Sequence, residues 1–190
     1  MSEQKTAFVM FVIGALLFAA AIAAPFSSDI DVDYRIWPFI PLFGLPYALR
    51  ELTRRINWLI LAYLILLVPA CYFAAHTAAV SVWALTNVDS GTASPGAMLP
   101  AGLAGGLVGS ALSFLALRLP GLRADDDEPA ASTTVGVAAL TALGGFGLAM
   151  ADLNETWSQA LWLFLPWQIV FAYFLSRLLK PSPPTGAPTA

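Results

Sequence analysis

Residues 58–85 carry no formally charged side chain, and a basic segment at residues 50–55 comes just before them. An apolar run of this length crosses a bilayer as one helix, because about 20 residues span the hydrocarbon core. Short loops rich in lysine and arginine are retained on the cytoplasmic side of a membrane. The run therefore predicts a transmembrane helix that starts in the cytoplasm, and its direction constrains the placement of every other segment.

Composition places the whole chain in the same class. Of the 190 residues, 58% are hydrophobic and only 11% are charged, whereas globular proteins carry about 25% charged residues. So few charges cannot cover a water-facing surface, and the lipid bilayer is therefore the expected partner. The net charge of −3 argues against a nucleic-acid partner, and the single cysteine, Cys71, excludes a disulfide within the chain.

Apolar runs separated by polar loops predict an all-α integral membrane fold with about six transmembrane helices. The predicted spans are residues 6–24, 36–49, 58–85, 98–119, 134–151 and 157–179. Residues 1–180 are expected to form a single membrane domain, followed by a flexible, proline-rich cytoplasmic tail at residues 181–190. We expect a multi-pass protein of a cell membrane, and we favour a bacterial inner membrane.

The first two spans each leave an alternative open. Residues 6–24 fit a retained helix, but residues 21–23 also resemble the small-residue cleavage site of a signal peptide. Residues 36–49 are short for a span and contain Pro38, Pro41 and Pro46, so a re-entrant segment fits as well as a crossing.

The distribution of basic residues decides how the second span is interpreted. If residues 36–49 cross the membrane, only Arg35 of the nine basic residues falls outside. If they re-enter, every later loop changes sides and the basic residues divide between the two faces. The positive-inside rule favours the crossing, which places both termini in the cytoplasm.

Small residues recur at four-residue spacing along the fourth span. One row contains Gly102, Gly106 and Ser110, and an adjacent row contains Ala101, Gly105, Gly109 and Ser113. Small side chains let helices approach each other closely in lipid. We expect Gly105 and Gly109 to pack against the fifth span near Gly145. A subunit interface and a glycine-lined pathway are the alternatives.

Three polar side chains inside predicted spans are candidates for function. His76 shares a helix face with Tyr72, one turn earlier, and we interpret His76 as an interfacial hydrogen-bonding residue, with ligand contact or proton sensing as the alternative. Gln168 lies near the predicted bilayer midplane, just after Pro166. A hydrogen bond to another helix is its favoured role, and substrate binding is the alternative.

The sequence predicts no cofactor, no metal site and no catalytic residue. Asp29, Asp31 and Asp33 resemble the start of a calcium loop, but Tyr34 and Ile40 replace the glycine and glutamate that such a loop requires. No predicted span has an acidic or basic residue in its interior, although coupled transporters usually need one.

Three functions are compatible with these patterns. The favoured one is a non-enzymatic accessory, scaffolding or assembly subunit that packs its helices against a membrane partner, either a second copy or another protein. The second is a permease for a small solute or lipid, with a site near the proline-broken second span and Gln168. The third is a membrane enzyme that uses His76 with Asp89 or Asp152, and it is the least supported because no spacing brings these side chains together.

Overall fold

The computed structural model describes residues 2–23, 37–54, 57–86, 95–120, 122, 130–152 and 158–179, and the regular secondary structure within them is helical. The elements in chain order are α1 (Glu3–Ala23), a 3₁₀ helix (Trp37–Phe43), α2 (Leu45–Arg54), α3 (Trp58–Thr86), α4 (Pro95–Ala116), α5 (Ala130–Asp152) and α6 (Ser158–Leu178). The loop that carries Asp29, Asp31 and Asp33 lies outside the described residues, and so does the tail at residues 181–190.

Four helices are long and apolar enough to cross a membrane, in agreement with four of the predicted spans. They are α1, α3, Met98–Ala116 within α4 and Ser132–Met150 within α5. The described apolar part of α6, Leu163–Leu178, is shorter. Large apolar side chains such as Leu16, Leu66 and Leu107 point outward from the bundle. An outer surface of this kind is stable in lipid and not in water.

The long helices pack side by side, each antiparallel to the next. α1 packs on α6, α6 on α5, α5 on α4, and α4 on α3. Ala7, near the start of α1, shares a core cluster with Leu178 at the end of α6, whereas Phe18, further along α1, meets Phe164, nearer the start of α6. α1, α3 and α5 therefore run in one direction, and α4 and α6 run in the other.

The two ends of the bundle differ in charge. One end, here named the basic end, is where α1, α3 and α5 begin and where α4 and α6 finish. It carries Lys5, Arg50, Arg118 and Arg177. The opposite end is named the far end. The start of α1 and the finish of α6 therefore lie at the same end of the bundle.

The 3₁₀ helix and α2 bring the chain back from the far end to the basic end. Ile40 joins Phe18 in a small cluster toward the far end. Further along, Tyr47 stacks on Phe11 with ring centroids 4.8 Å apart. The Arg50 guanidinium finally pairs with the Glu3 carboxylate. This segment thus runs antiparallel to α1 along most of its length.

Prolines explain why this returning segment is not one long α-helix, and two glycines explain why it can pack closely against its neighbours. Each proline lacks the N–H of a regular helical hydrogen bond, and Pro41 lies within the 3₁₀ helix. A methyl group added at Gly14 of α1 would collide with the Phe43 carbonyl oxygen. One added at Gly44 would lie 2.8 Å from Leu64 Cβ. The missing side chains let the segment lie against both α1 and α3.

A single π-helical turn, Tyr63–Leu67, interrupts α3. The backbone N–H of Val68, just after this turn, donates to the Tyr63 carbonyl, five residues earlier. Pro69 follows at once and cannot donate to the carbonyl one turn before it. The turn widens the helix at this point. The buried Tyr63 hydroxyl donates to the Ser113 carbonyl of α4 at 3.2 Å, which ties the two helices together.

Most of the tightly packed core lies toward the basic end. Phe11, Tyr63, Leu140, Phe171 and Leu175 are almost completely buried there and belong to one cluster. Among the described residues, a smaller cluster of Phe18, Ile22 and Ile40 lies toward the far end. α1 supplies buried residues to both clusters, so its removal would open the core along the whole bundle.

Candidate functional site

The first small-residue row of α4 faces α5. A methyl group added at Gly106 would lie 3.0 Å from the Leu140 carbonyl oxygen and 3.0 Å from Thr141 Cα. One added at Gly102 would lie 2.9 Å from Gly145 Cα. Both neighbours are backbone atoms, so α4 and α5 are too close for any side chain between them at these two positions.

The second row faces α3. A methyl group at Gly105 would lie 3.0 Å from the Ala75 carbonyl oxygen, and one at Gly109 would lie 2.9 Å from Ala75 Cβ. The prediction that Gly105 and Gly109 pack against the fifth span is therefore wrong, because their neighbour is the third span, α3. The two rows lie at different angles around α4, and a different helix of the same chain covers each row.

Ser110 continues the first row but makes no bond to a neighbouring helix through its hydroxyl. That hydroxyl is buried and donates to the Gly106 carbonyl of its own helix at 2.6 Å. Because α3 and α5 cover both rows, these residues offer no free face for a second subunit. The small residues of α4 therefore do not indicate a partner protein.

Tyr72 and His76 lie on the part of α3 toward the far end. Tyr72 is partly buried, packs against the cluster of Phe18, Ile22 and Ile40, and contacts the ring of Phe164 at 5.5 Å. His76 follows one turn closer to the far end and is also partly buried. Its predicted roles, hydrogen bonding at the interface or proton sensing, stay predictions.

Gln168 is the most distinctive polar side chain in the bundle. It is 7% exposed, and its carbonyl oxygen Oε1 has no hydrogen-bond partner within the described part of the chain. Most buried polar atoms in proteins do have such a partner. The predicted bond from this side chain to another helix is therefore not made through Oε1.

Aromatic rings flank Gln168 on both sides along α6. Phe164 and Phe171 lie one turn before and one turn after it, on the same helix face. Phe164 contacts Phe18 at 5.6 Å and Tyr72 at 5.5 Å. Phe171 contacts rings of three different elements, namely Phe43 at 5.7 Å, Phe114 at 5.9 Å and Trp167 at 5.1 Å. Gln168 thus lies between two aromatic layers inside the bundle.

Pro166 lies two residues before Gln168 and disturbs the hydrogen bonds of α6. It leaves a backbone carbonyl one turn earlier without its usual N–H donor. That carbonyl and Gln168 Oε1 are both acceptors, so they cannot satisfy each other. The carbonyl freed by Pro166 therefore does not explain how Oε1 could be satisfied, and Oε1 stays without a donor among the described residues.

Glu51 is a buried acid in α2 that the sequence pattern did not indicate as a candidate. Glu51 is 1% exposed, whereas Leu49 and Leu52 on the same helix are 52% and 42% exposed. The Arg50 guanidinium lies 3.9 Å from the Glu51 carboxylate and also pairs with Glu3. Glu51 lies just beyond the predicted span at residues 36–49, because α2 continues past that apolar run to Arg54 and buries the acid.

No described group of three or more histidine, cysteine or acidic residues could hold a metal ion. The enzyme hypothesis needs His76 beside Asp89 or Asp152. Asp89 lies outside the described residues and the side chain of Asp152 is not described, so that pairing stays untested.

The helices, the apolar outer surface and the buried polar side chains together define a helical integral membrane protein. No protein-family model matches the chain. Searches of curated proteins and of solved structures also returned no match. Any more specific function must therefore be argued from the residues of this chain.

Proposed function

We propose that the chain crosses the membrane six times with both termini in the cytoplasm. The direction of the helices supports this topology. α1 and α3 both run from the basic end to the far end, so the chain must return between them, and the 3₁₀ helix with α2 follows that path. The basic residues gather at the end that the positive-inside rule assigns to the cytoplasm. A bacterial inner membrane is the proposed location.

Within this topology, the protein binds a small solute or lipid inside the bundle at Gln168 and acts as its permease or carrier. The observation that carries this proposal is the buried Oε1 atom without a partner. An unsatisfied buried acceptor costs about 1–3 kcal/mol. A ligand that donates a hydrogen bond removes that cost, and broken helices such as the 3₁₀ helix with α2 often lie beside transporter binding sites.

The test compares the small molecules that remain bound to the purified protein. Wild-type protein, Gln168→Met and Thr141→Val are purified in the same mild detergent, and their extracts are compared by mass spectrometry. Thr141 also has a buried oxygen without a partner but lies at the α4–α5 contact, so it is a matched control. A compound found with wild type and Thr141→Val but lost from Gln168→Met is expected. Equal contents in all three samples would rule out this site.

A non-enzymatic accessory or assembly role is the second candidate, and one face of α5 favours it. Ala138 and Ala142 are small, lie four residues apart and are exposed on the outside of the bundle. Small residues at this spacing allow a second helix to approach closely in lipid. The proposed partner is a membrane helix of another copy or another protein.

Disulfide crosslinking tests this second role. Ala138→Cys in a Cys71→Ala background should form a crosslinked dimer in membranes if α5 packs against α5 of a second copy. Leu107→Cys in the same background is the control, because Leu107 is exposed on α4. If both cysteines crosslink equally, α5 has no special interface. A crosslink to a different protein would indicate a hetero-oligomer.

A further inference from the structure

The surroundings of Gln168 restrict the kind of ligand that fits. We infer that the site takes a neutral, ring-containing molecule with a hydroxyl or amine donor, which hydrogen-bonds to Gln168 Oε1 while its ring packs against Phe164, Tyr72 and Trp167. This inference rests on the proposed function, because it names the substrate class of the same site.

The need for a donor follows from the atom that is left without a partner. Oε1 is a carbonyl oxygen, which can only accept hydrogen bonds. The carbonyl freed by Pro166 is also an acceptor. A ligand hydroxyl or amine would satisfy one of them, whereas an ether or ketone oxygen would add a further acceptor to a buried region.

The need for neutrality follows from where the charges lie. The described ionised side chains near α6 gather at the basic end, with Arg177 nine residues beyond Gln168. That separation is about 13 Å along the helix, from the rise of 1.5 Å per residue. A charged ligand at Gln168 would find no described counter-charge at that depth. Burial of an unpaired charge is strongly unfavourable.

The preference for a ring follows from the side chains around the amide. Phe164, Tyr72 and Trp167 face the interior, yet all three keep part of their surface exposed. The corresponding aromatic side chains on the basic-end side, Phe11 and Phe171, are almost completely buried. The aromatic side chains on the far-end side of Gln168 are therefore less tightly enclosed than those on the basic-end side, and they offer ring faces and edges for aromatic contacts.

Three probes that differ in one group test the inference. 1-Naphthol is neutral at neutral pH and donates a hydrogen bond, 1-methoxynaphthalene has the same rings without the donor, and 1-naphthoate is charged. Binding of each to detergent-solubilised wild type, Gln168→Met and Thr141→Val is measured by isothermal titration calorimetry. Partition of probe into micelles is the same for all three proteins, so it cancels in the comparison.

Wild type and Thr141→Val should bind 1-naphthol saturably and about tenfold more tightly than the methyl ether, because one net hydrogen bond corresponds to roughly that factor. In Gln168→Met the two probes should bind equally. Methionine has a similar size and removes the unsatisfied oxygen, so the variant should fold at least as well as wild type, which its unfolding temperature reports.

Other binding results would contradict a specific part of the inference or the proposed function itself. Equal binding of naphthol and its ether to wild type overturns the donor requirement but leaves an interior site in place. Tighter binding of naphthoate overturns neutrality. If no probe binds saturably while the mass-spectrometry comparison still shows a compound lost from Gln168→Met, the ligand class is wrong and the proposed function stands. If neither experiment depends on Gln168, both are wrong.

Discussion

The unpartnered oxygen of Gln168 makes a prediction about stability as well as about binding. Gln168→Met should increase the free energy of unfolding by about 1 kcal/mol, since an unsatisfied buried acceptor costs about 1–3 kcal/mol. The unfolding temperature should rise by about 2–4 °C for a chain of this size. Thermal unfolding in detergent, followed by circular dichroism, measures the change.

Thr141→Val is the control for that stability measurement. It also removes a buried oxygen without a partner, so a similar rise is expected. A clear loss of stability in Gln168→Met would mean that the amide makes bonds in the ligand-free protein, and that its role is structural. A stabilised variant that has lost its bound compound would instead show that the wild-type residue is kept for binding.

Arg50 is predicted to matter more than Glu3, although the two side chains form an ion pair. The Glu3 side chain is 48% exposed and that of Arg50 is 12% exposed, so Glu3→Gln should cost less than about 1 kcal/mol. Arg50→Gln also removes the guanidinium beside the buried Glu51. Loss of one partner of a buried pair costs about 3–5 kcal/mol, and the 3.9 Å separation puts the expected loss at about 2 kcal/mol or more.

A double-mutant cycle separates the contribution of the Arg50–Glu51 contact from that of the Arg50–Glu3 ion pair. Glu51→Gln should cost less stability in the Arg50→Gln background than in the wild type, because the contact between these two side chains is already absent there. Unfolding in denaturant in mixed micelles gives the four free energies. Equal losses from Glu3→Gln and Arg50→Gln would show that Glu51 does not depend on Arg50.

At the level of helices, the close approach of α4 predicts that its glycines tolerate no large side chain. Gly106→Ile should destabilise the protein by about 1–3 kcal/mol through overpacking, because backbone atoms of α5 stand where the new side chain would go. Gly105→Ile should act similarly through α3. Thermal stability and gel filtration are measured together, and the protein should unfold rather than change its oligomeric state.

The matched control is Leu107→Ile, which changes an exposed side chain on the same helix and should alter stability by less than about 0.5 kcal/mol. If Gly105→Ile leaves a stable protein that has only lost a partner, the second row contributes to an interface between subunits. Silent glycine variants would show that α4 lies further from its neighbours than the structure indicates.

The long helices were predictable because apolar length alone determines them, as the match between residues 58–85 and α3 (Trp58–Thr86) illustrates. The neighbours of Gly105 and Gly109 were not, since spacing within one helix gives the angle between two rows but not the order of the other helices around it. Glu51 was missed for a related reason. Its helix leaves Leu49 and Leu52 exposed while it buries the acid, which reverses the pattern of a helix in water.

For the candidate site, the sequence identified Gln168 and the nearby proline-broken segment but not its surroundings. The rings that pack against Phe164 and Phe171, one turn before and after Gln168, come from α1, the 3₁₀ helix, α3 and α4, and their convergence depends on tertiary packing. The sequence also favoured a hydrogen bond between helices. Only the packed structure shows that no described donor reaches Oε1.

For the molecule as a whole, the proposed six-span topology predicts which loops are accessible from each side. Single cysteines replacing Arg55, Arg123 and Lys180 in a Cys71→Ala background should be protected from a membrane-impermeant thiol reagent in intact cells. Cysteines replacing Ile30, Ser90 and Asn154 should react, because their loops are expected outside. Labelling of the cysteine at position 55 in intact cells would show that the second segment re-enters.

The ion pair between α1 and α2 also bears on how the protein is made. The second segment is a poor substrate for insertion by itself, since it is short, contains prolines and ends in charged residues that each cost about 2.5–3.5 kcal/mol at the centre of a bilayer. With α1 already in the membrane, Glu3 can form its ion pair with Arg50, and Phe11 of α1 can stack on the aromatic rings of the segment. In the proposed topology, α1 and the second segment should therefore enter the bilayer together as a hairpin during synthesis. A reporter fused after Arg55 should lose its cytoplasmic location when α1 is replaced by an unrelated apolar helix of the same length.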